Sequence, residues 1–99
     1  MKRICVRGIV EKDNELAVIF RRKINNGIVT EYYVIPGGGV EGTEDLEEAL
    51  KRELKEELNI EINVKDLAFK TENEDRVEYF YNCEYLSGTF ELMGEEVER

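Results

Sequence analysis

Three glutamates, Glu53, Glu56 and Glu57, lie close together in the segment LEEALKRELKEEL, which has helical spacing. At about 100° per residue, Glu53 and Glu57 lie inside the apolar face that such a helix would bury, and Glu56 lies at its edge. Carboxylates gathered on one face repel one another, and burying an unpaired carboxylate is unfavourable. A divalent cation relieves both penalties, because hard cations prefer oxygen ligands. The spacing therefore predicts a metal site formed by these three side chains.

The alternative is a solvated acidic helix face, stabilised by ion pairs between residues four apart. Such pairs account for Glu48 with Arg52 and for Arg52 with Glu56. This is the default interpretation of an acid-rich helix, since lone glutamates are rarely buried. It leaves Glu53 and Glu57 unexplained, because both interrupt the row of leucines. Metal binding is therefore the main hypothesis, and a diffuse acidic surface is the alternative.

The composition excludes several other functions. The 99 residues include 14 lysines and arginines, 23 aspartates and glutamates and no histidine, which gives a net charge of −9. Binding along a polynucleotide depends on clustered basic residues, so we expect none. Histidine-dependent nucleophiles are excluded because the chain has no histidine. A zinc site is also excluded, because the only cysteines, Cys5 and Cys83, lie far apart. Reduced cysteines, with no signal peptide and no apolar run of roughly 20 residues, predict a cytoplasmic protein without membrane contact.

The glutamate-bearing helix is predicted over Leu46–Leu58, on one face of a largely antiparallel sheet, so the fold class is α+β. Asp45 has the position of its N-cap, with Glu48 completing a capping box, and Asn59 can end it in the left-handed conformation. A sheet covered by one helix leaves its other face wet unless something else covers it.

The strands that position this helix follow from alternating or β-branched apolar residues. Asn25-Asn26-Gly27 predicts a hairpin turn, Gly8 a bulge, and Pro36–Gly39 a flexible connection. The predicted strands cover residues 2–11, 16–22, 28–35, 60–64, 67–71 and 76–86.

The segment Gly38–Ile60, GGVEGTEDLEEALKRELKEELNI, resembles the Nudix box, G-x5-E-x7-R-E-U-x-E-E-x-G-U, where U is a bulky aliphatic residue. The matching residues are Gly38, Glu44, Arg52, Glu53, Leu54, Glu56, Glu57 and Ile60. The one departure is Asn59, where the family has glycine. Asparagine is the next most tolerant residue in the left-handed conformation, so we expect a local loss of stability and an intact site.

The resemblance implies a mixed β-sheet and the hydrolysis of a nucleoside diphosphate linked to another moiety, with Mg²⁺ or Mn²⁺ as cofactor. Its implied metal ligands are the Gly38 carbonyl, Glu53, Glu56 and Glu57, with Glu44 as an auxiliary ligand. Arg52 is implied to orient a glutamate, which completes the catalytic set Arg52, Glu53, Glu56 and Glu57. The family also brings a carboxylate from later in the chain, for which Glu95, Glu96 and above all Glu98 are candidates.

The substrate is expected to be a small nucleotide-type molecule that contacts the glycine run and a basic side chain. The expected contacts are Gly37, Gly38 and Arg22, the last chosen from the basic run Arg21, Arg22 and Lys23. Glycines let a backbone approach phosphate and metal closely.

The chain is expected to be a single Nudix-type domain, residues 1–99, that lacks the C-terminal strand and helix of the family's α/β/α sandwich. This keeps three hypotheses open: a Nudix hydrolase, a catalytically inert Nudix-fold remnant or binding module, and an acidic interaction module without a ligand site. A homodimer is one way to cover the open sheet face.

Overall fold

The computed structural model describes residues 2–89 and 97–98. Within them, the strands form two sheets, and one helix packs against the larger sheet. The elements in chain order are β1 (Arg3–Lys12), β2 (Glu15–Leu16), β3 (Ile19–Asn25), β4 (Ile28–Val34), β5 (Gly37–Gly39), α1 (Leu46–Leu58), β6 (Ile60–Glu72), β7 (Arg76–Gly88) and β8 (Val97–Glu98).

Strand β1 is the centre of the larger sheet, whose order in the described residues is β2-β1-β7-β6. Strand β7 runs parallel to β1, while β6 runs antiparallel to β7. Strand β5 pairs antiparallel with β1, with Gly37 opposite Arg7 and Gly39 opposite Cys5. The sheet is therefore mixed, as the Nudix resemblance implies. The smaller sheet contains the β3–β4 hairpin, with the short β8 beside β3.

Helix α1 begins and ends where the sequence predicts. The Asp45 side chain accepts the Glu48 N–H at 2.8 Å, so the N-cap is confirmed. Asn59 is left-handed, with φ 56° and ψ 42°, and its N–H donates to the Lys55 carbonyl. In the described parts of the chain, no helix has the length and apolar character of a membrane-spanning segment.

The apolar face of α1 packs on strands β1, β5 and β6. Gly8 lies under this helix, and a Cβ there would be 3.1 Å from Cδ2 of Leu54. The predicted bulge at Gly8 is wrong, because the β1–β7 register is continuous through Gly8 opposite Tyr81. The glycine instead allows close helix-to-sheet packing. The buried core consists of Val6, Val10, Ala17, Ile19, Ala49, Leu50, Leu54, Leu58, Ile60 and Ile62.

Three other local predictions need correction. The glycine run is strand β5 and not a flexible connection, because it pairs with β1. The predicted strands 60–64 and 67–71 form one strand, β6, whose register shifts at Lys65 and Ala68 interrupt the alternation of side chains. The predicted strand 16–22 is divided at Ala17-Val18 into β2 and β3.

The face of the larger sheet away from α1 carries a stacked aromatic pair. The rings of Phe69 and Phe80 lie 4.4 Å apart between centroids, and Phe69 is 49% exposed. Phe80 points away from the helix, because its neighbours Tyr79 and Tyr81 pack on the core. A homodimer that covers this face stays a prediction.

The helix terminus gives a first test. Asn59→Gly should raise the free energy of unfolding by about 0.5 kcal/mol, since glycine adopts positive φ without steric strain. Asn59→Ala should lower it by about 1 kcal/mol, because a Cβ without a compensating polar group is strained there. Urea denaturation followed by circular dichroism measures both. If the two variants shift stability in the same direction, backbone conformation does not limit this position.

Candidate metal centre

Glu53 lies where α1 meets the glycine strand β5. A Cβ placed on Gly38 would lie 2.6 Å from the Glu53 carboxylate carbon, so only glycine fits opposite this side chain. The Glu53 side chain is 15% exposed. Burial raises the pKa of Glu53 above its usual value, and the neighbouring Arg52 opposes this shift. The close approach of helix and strand therefore places a largely buried carboxylate directly on the β5 backbone.

Glu57 reaches the same strand one turn further along the helix. Its Oε1 accepts the N–H of Gly37 at 2.9 Å, and its Oε2 lies 3.1 Å from Nη2 of Arg21 on β3. Both side chains of this ion pair are mostly buried. Glu53 and Glu57 thus converge on consecutive glycines of β5. The prediction that these two residues leave the solvated face of the helix is confirmed.

Glu56 is placed differently from its two neighbours. Its side chain is 59% exposed and lies 3.2 Å from Nη1 of Arg52, the i,i+4 ion pair that the solvated-face interpretation accounts for. In the structure it therefore lies at the rim of the site.

Arg52 connects the helix to the loop that precedes it. Its guanidinium donates to both Glu44 carboxylate oxygens, at 2.7 and 3.0 Å, to the Gly39 carbonyl at 3.1 Å and to Glu53 at 3.1 Å. The bidentate contact with Glu44 is the main reason that the pKa of Arg52 is raised and that of Glu44 is lowered. Glu41 also donates its N–H to Glu44. In this structure Glu44 therefore holds Arg52 in place, and its expected role as an auxiliary metal ligand stays a prediction.

These residues fit a hard divalent cation in their chemistry. Glu53 and Glu57 offer carboxylate oxygens, the donors that Mg²⁺ and Mn²⁺ select, beside a backbone that only glycine allows so close. Among residues 2–89 and 97–98, no three acidic or cysteine side chains are already grouped closely enough to hold an ion. A cation shared by Glu53 and Glu57 would take an oxygen from each carboxylate, and Arg52 and Arg21 each contact one of these oxygens in this structure. The metal-ligand set remains a prediction.

Within the basic run Arg21, Arg22 and Lys23, it is Arg21 that contacts Glu57, one position before the predicted Arg22. Side chains alternate along a strand, so Arg21 faces α1 while Arg22 points to the opposite side of the smaller sheet. There Arg22 lies 3.4 Å from its cross-strand neighbour Glu31, with both side chains 49% exposed. The structure thus brings Arg21 to the carboxylates of α1 and Arg22 to Glu31, and the expected substrate contact at Arg22 stays a prediction.

The later carboxylates cannot be placed at the site. Glu98 belongs to β8, whose backbone pairs with β3 opposite Lys23, and its side chain lies outside the described residues. Glu95 and Glu96 also lie outside them.

Solved structures with this fold include several Nudix proteins. A MutT NUDIX hydrolase from Burkholderia pseudomallei gives a TM-score of 0.78 at 23% identity, over 95% of this chain and 75% of the other. The E. coli ORF135 protein gives 0.69 at 28% identity, over 93% and 68%. An ADP-ribose pyrophosphatase from Streptococcus suis gives 0.72 at 17% identity, over 96% and 69%. Among eight such structures, this chain spans 45% to 75% of the other chain's length.

The class of protein is therefore a Nudix-type α+β domain with a carboxylate-bearing helix. The family model for the NUDIX domain matches residues 1–99, and the chain belongs to the Nudix hydrolase family. None of the curated proteins matches it.

The raised pKa of Glu53 gives a second test. The carboxyl proton of Glu53 is held more tightly in the folded chain than in the unfolded chain. The free energy of unfolding therefore falls as the pH rises through the folded-state pKa of Glu53. At pH 7 and without metal, Glu53→Gln should therefore raise Tm by roughly 2–4 °C. The difference should shrink below the usual glutamate pKa. Glu47→Gln, at an exposed position of α1, is the control. Equal effects of both substitutions at pH 7 would contradict the burial of Glu53.

Proposed function

We propose that this protein hydrolyses a pyrophosphate linkage in a nucleoside diphosphate linked to another moiety, using Mg²⁺ or Mn²⁺. The observation that carries the proposal is the convergence of Glu53 and Glu57 on the glycine strand, within a chain of the Nudix family. The solved neighbours are consistent with this class, since one is an ADP-ribose pyrophosphatase.

Each residue of the site has a proposed part. Glu53 and Glu57 hold the cation, with Glu56 as the exposed third carboxylate and the Gly38 carbonyl as a backbone ligand. A divalent cation held there would supply Lewis-acid chemistry, polarising phosphoryl oxygens and lowering the pKa of an attacking water. Arg52, anchored by Glu44, orients Glu53. The Gly37 N–H orients Glu57, and the same glycine strand lets phosphate approach the backbone.

A cavity of about 310 Å³ lies on the face of the larger sheet that carries Phe80, and its wall includes Val34 and Ile35, which precede Gly37 in the sequence. We propose that it receives the nucleoside or the other moiety of the substrate. Phe80 offers an aromatic face, Arg7 offers N–H donors, and Glu78, which accepts a 2.9 Å hydrogen bond from Arg7, offers carboxylate acceptors. The cavity is lined by Arg7, Val34, Ile35, Arg76, Glu78 and Phe80.

The net charge of −9 supports a small substrate over a polynucleotide. An acidic protein repels polyphosphates unless cations intervene, so a metal-bound diphosphate is favoured and an extended nucleic acid is not. The role of Arg22 as a substrate contact remains part of this proposal, although its observed partner is Glu31.

A second candidate is a Nudix-fold binding module that binds metal and nucleotide without hydrolysing them. One observation favours it: each carboxylate of the site already has an arginine partner, Arg52 for Glu53 and Arg21 for Glu57. In this case nucleotides and Mn²⁺ would bind without turnover.

The proposal is tested with nucleoside triphosphates, sugar nucleotides and dinucleoside polyphosphates in the presence of Mg²⁺. Wild type should release nucleotide products, and Glu53→Gln and Glu57→Gln should each lose roughly 100-fold in kcat/KM, because a charge-stabilising group is removed. Glu47→Gln should retain wild-type rates. Turnover in EDTA, or full turnover by Glu57→Gln, would refute the mechanism. Binding of Mn²⁺ and nucleotide without any turnover would support the binding module.

A further inference from the structure

Arg21 is the residue of β3 that contacts the carboxylates of α1. Its Nη2 lies 3.1 Å from Oε2 of Glu57, and the two side chains are only 20% and 13% exposed. The other oxygen, Oε1, accepts the Gly37 N–H. A positively charged group and a backbone donor therefore already engage the two oxygens of one proposed metal ligand.

A divalent cation bound by Glu53 and Glu57 would contact the Glu57 carboxylate, which Arg21 already contacts. Two cationic groups on one mostly buried carboxylate repel each other, and the repulsion is stronger here than in open solvent because little water screens it. Oε1 keeps Glu57 on the glycine strand through Gly37. Oε2 is then the oxygen for which arginine and metal ion would compete.

We propose that Arg21 competes with the divalent cation for Oε2 of Glu57. In this arrangement Arg21 is a positioning residue: it holds the Glu57 side chain against β5 and neutralises it, and the cation displaces the guanidinium when it binds. The inference rests on the proposed function, because it requires metal binding at Glu57. The measured metal affinity is then the net result of exchanging the Arg21 guanidinium for the divalent cation at Oε2 of Glu57.

The opposite arrangement predicts the opposite sign. If Arg21 kept its hydrogen bond while the cation bound, it would support the ligand from behind. Loss of such a support typically weakens metal binding by about 10–100-fold. Removal of a competitor strengthens binding instead. The direction of the change in affinity therefore separates the two arrangements.

The chain supplies a matched control in the adjacent residue. Arg22 has the same charge and side chain, but it points to the other side of the smaller sheet and contacts Glu31. Arg22→Gln thus removes the same charge from almost the same position without touching Glu57. Any general electrostatic effect on cation affinity should be common to Arg21→Gln and Arg22→Gln.

The experiment is a calorimetric titration of Mn²⁺ into the full chain, with circular dichroism melts to establish that each variant is folded. Arg21→Gln should bind Mn²⁺ at least about fivefold more tightly than wild type, since fivefold is already what a favourable exposed ion pair contributes and this pair is mostly buried. Arg22→Gln and the charge-conserving Arg21→Lys should stay within about twofold of wild type, since both leave a cation beside Glu57.

A spectroscopic measurement on the unmutated protein gives an independent readout. In a Mg²⁺ titration followed by ¹⁵N NMR, the Arg21 guanidinium signal should shift and saturate together with the Gly37 amide. The Arg7 signal should remain fixed, because Arg7 pairs with Glu78 in the larger sheet. This measurement decides the question even if Arg21→Gln does not fold.

Three outcomes would overturn the inference. Weaker Mn²⁺ binding by Arg21→Gln would show that Arg21 supports the metal, and an effect equal to that of Arg22→Gln would show only a general change in charge. An Arg21 signal that stays fixed while the Gly37 amide saturates would show that no exchange occurs. Each of these leaves the proposed function intact, whereas a wild-type chain that binds no Mn²⁺ contradicts both.

Discussion

Carboxylates that share one or two turns of a helix repel one another, and the guanidinium of Arg52 is the cation that offsets this repulsion at Glu53 and Glu56. It contacts Glu53 and Glu56 on its own helix. It also donates hydrogen bonds to Glu44 and to the Gly39 carbonyl, in the segment that leads into the helix. One side chain therefore neutralises part of the site and also fixes where the helix starts relative to the glycine strand. Because arginine donates in several directions from one plane, lysine could not take over all of these contacts.

The glycine strand is the second constraint, and it depends on β1. A Cβ on Gly37 would lie 1.9 Å from the Val6 carbonyl oxygen, and one on Gly38 would collide with Glu53. The chain between β4 and α1 thus fits into a gap bounded by a strand on one side and a carboxylate on the other. Gly37 and Gly38 are required by the space around them, and this space exists because Leu50 and Leu54 pack closely on Gly8 of β1. Packing of the apolar core therefore sets the distance between the helix carboxylates and the backbone beside them.

The sequence predicts those features that are local to a segment. The bounds of α1, the cap at Asp45 and the left-handed Asn59 follow from nearby residues, and the two buried glutamates follow from helical periodicity. Features that depend on distant pairing are not predictable in this way. The glycine run forms a strand only because β1 lies beside it. Strand β6 is continuous only because its pairing with β7 resumes after the irregular positions Lys65 and Ala68. The contact of Arg21 with Glu57 likewise depends on which side of β3 faces the helix.

The parallel pairing of β1 with β7 has a consequence for the order in which the protein assembles. Strand β1 comes from the start of the chain, and its partner spans Arg76–Gly88. Pairing over such a sequence separation closes a long loop, which slows folding relative to helices and hairpins. During synthesis, the β3–β4 hairpin and α1 can form early, but β1 lacks its main partner until β7 has left the ribosome. The glycine strand rests on β1, so the carboxylates and their backbone cradle come together late, and a partly made chain has the sequence of the site without its geometry.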